Sequence, residues 1–199
     1  MTSEAPLGLR ERKKAEARVE IVAAALRLFQ KRGYAEVTID EIAALANVSR
    51  RTFFRYFPTK EDVVLERRRE QLALFRGALG TLEGRPVDLV REAFALVAAD
   101  YQKNKARILS ERALLASARD LRVRDLEIDR EFENAIVDAV VARTRARPAD
   151  RLAARFFAAA AMGVVRVVVD DWAEAGGDAD IAALGRRALD AIAELLPTP

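Results

Sequence analysis

The chain has no cysteine and no histidine among its 199 residues. Lack of thiols excludes disulfides, thiolate nucleophiles and cysteine zinc sites, and lack of imidazole removes the commonest general base and metal ligand. Glycine and proline are scarce, at 9 and 6, so few positions interrupt a helix. No stretch alternates apolar and polar residues for long with the period of two that a half-buried strand needs. No run reads as a transmembrane span, and the N-terminus MTSEAPLGLRERKK lacks the apolar core of a signal peptide. These absences lead to the expectation of a cytoplasmic chain that is not an enzyme, needs no cofactor or metal, and has no membrane partner.

What is present is helical patterning. Hydrophobic residues make up 51% and charged residues 33%, with apolar positions at helical spacing nearly throughout, so the expected fold class is all-α. The charge is uneven: residues 1–80 hold 16 Lys+Arg against 11 Asp+Glu, and the remainder 18 against 20. A basic front is what a nucleic-acid contact surface requires, although scattered charge also serves simply to solvate a surface.

Residues 1–9 read as a frayed tail. A first helix is expected from Arg10 to about Arg32, with Val19, Ile21, Val22, Ala25, Leu26, Leu28 and Phe29 on one stripe and Gly33 as its cap. Thr38 caps a short helix, Ile39–Ala46, with Glu41 completing a capping box. Asn47-Val48-Ser49 is a turn whose serine caps the next helix, Arg50–Tyr56, stopped by Pro58. Thr59 opens a helix expected to run unbroken from Lys60 to Leu79, and Gly80, Gly84 and Pro86 mark a linker. Further helices are expected at Pro86–Gln102, Lys105–Ser117, Leu121–Arg145, Pro148–Ala175 and Asp178–Leu195, about nine in all. The expected domains are a DNA-binding head over 1–60, a linking helix over 60–79, and a second domain over 80–199.

The stretch TIDEIAALANVSRRTFFRYFPTK, Thr38 to Lys60, is a short helix, a tight turn and another short helix, the arrangement that lets a second helix enter a major groove. Ile42, Ala43, Leu45 and Val48 are expected to fix the angle between the two helices, and Phe53, Phe54 and Phe57 to be core. Arg50, Arg51, Thr52 and Arg55 then face outward. Arginine pairs bidentately with guanine and a threonine methyl meets thymine, so these four form a reading head. Thr38, Ser49 and Thr59 stand at helix N-termini, where free N–H groups favour phosphate, and Lys60 adds charge. Arg10, Arg12, Lys13 and Lys14 form a basic arm suited to the backbone or the minor groove.

From about Ala15 to Leu65 these residues resemble the tetracycline-repressor (TetR) family of bacterial regulators, through LFQKRGY, the threonine before the second helix, and IAALANVSRRTFFRYFPTKEDV. The resemblance implies a helix-turn-helix head followed by a helical ligand-binding and dimerisation domain. It further implies a transcriptional repressor of double-stranded operator DNA. Arg50, Arg51, Thr52 and Arg55 would face bases, while Thr38, Tyr56 and Lys60 would hold phosphates. Phe54 stands where the family usually has a tyrosine whose hydroxyl touches the DNA backbone, leaving that bond to Tyr56 or an arginine.

Two recognition helices about 34 Å apart require a homodimer. Phe156, Ala160, Gly163, Val164, Val167 and Val168 form one stripe with small residues, and Ile181, Leu184, Ala188, Ala191, Ile192 and Leu195 another; they are read as the dimer contact, unless both bury within one subunit. An unidentified, largely apolar small-molecule effector is expected among Phe94, Val97, Tyr101, Ile108, Leu114, Phe132, Ile136 and Phe157, with Arg112 and Arg166 as polar anchors, although each apolar position also suits plain core. Arg166, in an apolar run, needs a carboxylate across the dimer or an anionic ligand. The rival reading is a helical adaptor module without sequence-specific DNA binding. An enzyme built on Asp170 and Asp171 lacks any partner group at fixed spacing.

Overall fold

The computed structural model describes residues 9–144 and 148–195, and side chains over 12–143 and 151–191. The tail, the side chain of Arg10 and those of Ile192 and Leu195 fall outside these ranges. Among the described residues there are ten helices and no strand. They form two compact units, which over the described residues are 9–66 with 113–122, and 67–112 with 123–144 and 148–195.

The first unit is built on α1 (Leu9–Arg32), α2 (Ile39–Leu45), α3 (Arg50–Tyr56) and α4 (Lys60–Val64). Its core is made by the inward faces of these helices: Ile21, Ala25, Phe29, Ile42, Phe53, Phe57 and Val63 are all buried, each large side chain stabilising the unit by about 1.5–3 kcal/mol. Val19, expected on the same stripe of α1, is exposed, because it stands about a third of a turn away from that face. α1 ends at Gly33, whose φ of +83° is the left-handed cap the sequence calls for and whose N–H bonds Phe29 O at 2.8 Å. The turn between α2 and α3 passes through Asn47 at φ +53°, a conformation asparagine tolerates, and is closed by Val48 N–H to Ala43 O at 2.9 Å.

The helix expected from Lys60 to Leu79 is two helices. α4 ends on Leu65 (φ −88°, ψ 1°), whose N–H returns to Glu61 O, and α5 (Glu66–Thr81) starts afresh. Here Leu65 is fully buried, so burial of this side chain holds a bend that helical periodicity does not reveal.

The second unit contains α6 (Pro86–Lys103), α9 (Pro148–Glu174), α10 (Ile181–Leu195), and most of α5, α7 (Lys105–Ser117) and α8 (Arg119–Thr144). α10 packs on both α6 and α9. It starts three residues later than expected because Asp180 is its cap, accepting from Ala183 N–H at 3.0 Å. Between them Gly177, at φ +75°, lies so close to Trp172 that an added Cβ would stand 2.9 Å from the indole.

α9 corrects a second expectation. Over Arg151–Glu174 it is long and apolar enough, by length and composition, to cross a membrane. Between Arg151 and Asp170 the only charged residues are Arg155 and Arg166, and these two charges hid the stretch from a search for an uncharged run. In the single chain Leu152, Phe156 and Val167 are exposed on it.

Candidate functional site

Three N-caps build the head of the first unit. Thr38 accepts from Glu41 N–H at 3.3 Å, and its own N–H and hydroxyl donate to Glu41 Oε2, each at 2.9 Å. The hydrogen bonds from Arg32 and Thr38 hold the Glu41 carboxyl down at about 2, so it is ionised at any working pH. A phosphate at Thr38 therefore has to take the hydroxyl proton away from a carboxylate. Ser49 caps α3, accepting from Thr52 N–H at 3.1 Å and donating to Thr52 Oγ1 at 3.0 Å. Thr59 forms a second capping box with Asp62.

The outward face of α3 carries its cations. Arg50, Arg51 and Arg55 are exposed, Ser49 is exposed, and Thr52 and Tyr56 are half-buried. Arg50 Nη1 reaches Asp40 at 2.6 and 2.8 Å and lies over the Phe54 ring at 5.5 Å. Both partners of that ion pair are well exposed, so it is worth about 0–1 kcal/mol and releases Arg50 cheaply. Arg51 makes no hydrogen bond or ion pair with any described residue. Arg55 stacks over Tyr56 at 4.9 Å, with Nη2 donating to the Tyr56 oxygen at 3.3 Å; the phenolic proton stays available to an acceptor.

Two positions depart from expectation. Phe54 is 41% exposed, not core, its ring standing edge-on to Phe53 at 5.7 Å: of the three phenylalanines only Phe53 and Phe57 turn inward. Leu45 is 46% exposed, leaving Ile42 and Ala43 as the buried positions of α2. Lys60 is tied down within its own unit. Its Nζ donates to Tyr34 O and Val37 O, both at 2.9 Å, and lies 4.2 Å from the centre of the Tyr34 ring, which leaves one N–H for an anion. Behind it, Tyr34 donates to Glu61 Oε1; burial and the neighbouring carboxylate push the phenol's pKa up.

In the second unit Val97, Tyr101, Ile108, Phe132 and Ile136 are buried, and Phe94 and Phe157 half-buried. Leu114 is buried too but belongs to the first unit, so the proposed effector lining is not one set. Arg112 pairs with Asp170, and Arg166 Nε with Asp129 Oδ2 at 3.3 Å: the carboxylate that Arg166 needs is supplied by α8 of the same chain. Of the dimer candidates, Phe156 and Val167 are exposed; Ala160, Gly163, Val164, Leu184 and Ala188 are half-buried, and Ile181 is buried.

Sequence reasoning missed the buried network around Arg68, which bonds Asp125 at 2.8 Å and Asp129 at 2.5 Å. Its signal was present: carboxylates at i and i+4 on one helix face can grip a single guanidinium.

Residues 21–66 match the family described as bacterial regulatory proteins, tetR family, and residues 84–197 match the MftR C-terminal domain. The transcriptional regulator TcmR of Streptomyces glaucescens is 29% identical over 96% of this chain and 87% of its own length. EthR of Mycobacterium tuberculosis is 39% identical over 72 residues, 36% of this chain and 33% of that protein. Among solved structures, FadR of Thermus thermophilus, a TetR-family transcriptional repressor in complex with lauroyl-CoA, superposes with a TM-score of 0.63 at 26% identity, covering 92% of this chain and 96% of that one. The chain belongs to the TetR family of bacterial transcriptional regulators, with a C-terminal domain of the MftR type.

Proposed function

We propose that this regulator is a cytoplasmic repressor that holds a palindromic operator as a homodimer and releases it when a largely apolar small molecule enters the second unit. The observation that carries the DNA-binding part is the outward face of α3, where Arg50 and Arg55 are held only by weak surface contacts and Arg51 by none among the described residues. Arg50, Arg51, Thr52 and Arg55 read base edges, while Thr38, Ser49, Tyr56 and the remaining N–H of Lys60 position the backbone. Residues 1–60 act as the reading head, 60–79 as the link, and 80–199 as the effector and dimer region.

The dimer contact is the exposed face of α9 around Phe156 and Val167, where Ala160 and Gly163 admit a close neighbour; the half-exposed side of α10 at Leu184 and Ala188 continues it. This also accounts for an apolar helix in a DNA-binding protein, since a subunit rather than lipid covers it.

Fluorescence anisotropy on labelled DNA from upstream of the protein's own gene tests the reading. Affinity should fall steeply with salt while one palindrome stays preferred, and lauroyl-CoA, the ligand of the Thermus relative, is the first effector to add. Equal affinity for all sequences contradicts specific reading and favours a helical adaptor.

A further inference from the structure

The outward face of α3 treats its three arginines unequally. Arg51 has no partner among the described residues, and Arg55 has only the ring and phenol of Tyr56. Arg50 alone is given a carboxylate, that of Asp40 on α2.

Asp40 takes no part in the cap of α2. The capping box there is made by Thr38 and Glu41, and Arg50 is the one described residue that Asp40 bonds. A carboxylate on a face that meets a polyanion weakens attraction to DNA of every sequence, so Asp40 adds nothing to general affinity.

The geometry of the pair shows what it does add. Both Asp40 oxygens approach the same nitrogen, Arg50 Nη1, at 2.8 and 2.6 Å. The edge of the guanidinium formed by Nε and Nη2 bonds no described residue, and two parallel N–H groups are what guanine O6 and N7 accept. The guanidinium lies over the ring of Phe54, one turn further along α3, at 5.5 Å. That ring is braced edge-on by the buried Phe53 at 5.7 Å. A carboxylate therefore holds one nitrogen of Arg50 and a ring covers one face, while the edge suited to guanine is left open.

Held in this way, Arg50 gives up less rotamer freedom on meeting a base. The pair is weak in water because both partners are exposed, so it biases Arg50 without locking it. Where Arg50 swings to a phosphate instead, Asp40 is left facing the DNA with its charge uncompensated, and binding at a wrong sequence is disfavoured.

We propose that Asp40 is a positioning residue for sequence specificity: with the Phe54 ring it aims the free Nε and Nη2 edge of Arg50 at a guanine and opposes the use of Arg50 as a plain phosphate contact. This rests on the reading of α3 as the helix that meets base edges, and adds to it a residue of α2 that acts through Arg50.

Full-length parent, Asp40→Ala, Arg50→Ala and the double variant are titrated by fluorescence anisotropy against the operator, its single base-pair variants and non-operator DNA at fixed salt. Arg50→Ala is expected to lose preference at one G·C pair in each half-site. Asp40→Ala is expected to lose about tenfold in preference at that same pair, while binding non-operator DNA at least as tightly as the parent. In the Arg50→Ala background, removing Asp40 should leave every preference unchanged. Both side chains are exposed, so the variants keep the fold, which melting curves check. Preference at that pair kept by Asp40→Ala, an equal loss on every sequence, or the same loss with and without Arg50 overturns the proposal; in the last case Asp40 itself meets the DNA. If Arg50→Ala keeps every preference, the assignment of Arg50 to bases falls and the proposal with it. If Arg50→Ala loses the preference and Asp40→Ala does not, that assignment stands and the positioning role alone falls.

Discussion

Replacing Lys60 by methionine distinguishes two roles for a residue that the family resemblance assigns to phosphate binding. In the structure its ammonium bonds two carbonyls, Tyr34 O and Val37 O, each at 2.9 Å, and stacks on the Tyr34 ring at 4.2 Å. Methionine keeps the length of the stem and deletes the charge. Each charge-assisted bond is worth about 1.5–3 kcal/mol, and the ring contact about 0.5–1 kcal/mol. Against these stands about 1.5–2 kcal/mol of side-chain freedom recovered when the lysine is no longer held. The net loss is about 1.5–5.5 kcal/mol, or a fall in melting temperature of roughly 3–22 °C for a chain of this size. Far-UV circular dichroism on heating measures it. A phosphate contact alone would leave the melting curve of Lys60→Met on that of the parent and lower the salt slope of DNA binding by about one; that pair of results would refute the structural role.

Gly177→Ala should destabilise the second unit by about 2 kcal/mol or more, since φ is +75° and the new Cβ would press on Trp172 and Lys105 at 2.9 and 3.0 Å; a parallel shift in tryptophan emission checks that the strain is local. Phe54→Tyr should tighten operator binding by roughly two- to tenfold without changing stability, because the ring is 41% exposed and gains a hydroxyl for phosphate; anisotropy and a melting curve test both halves. Burial raises the Glu111 carboxyl against the pull of Arg107 and Arg67. A raised folded-state pKa contributes stability at low pH that is lost as pH rises through it. Glu111→Gln is therefore expected to melt higher than the parent at neutral pH and to flatten that decline, whereas a lower melting point at neutral pH contradicts the sign.

The features legible in the sequence are those whose partners are near in the chain. Thr38 with Glu41, Ser49 with the amide of residue 52, and Gly33 after α1 were readable because a cap is satisfied within four residues. Phe54 was misread because helical spacing alone does not say which of three aromatics points outward from a seven-residue helix. The carbonyls that hold Lys60 were not foreseen, and Arg68 was missed, because the partners lie 23 and 26 residues away for the one, and 57 and 61 for the other. The bend at Leu65 depends on burial, which no local pattern encodes. Arg166 announced in the sequence that it needed a carboxylate, yet only the fold showed Asp129 as its partner.

Arg51 offers the most direct check on whether the outward face of α3 reads bases. Binding of the parent and of Arg51→Ala should be compared across an operator and its single base-pair variants at fixed salt. The alanine variant is expected to lose about 1–3 kcal/mol on the operator and to become indifferent at one base pair in each half-site, with unchanged folding. Equal loss on every sequence would make Arg51 a backbone contact, and no loss at all would remove α3 from the DNA.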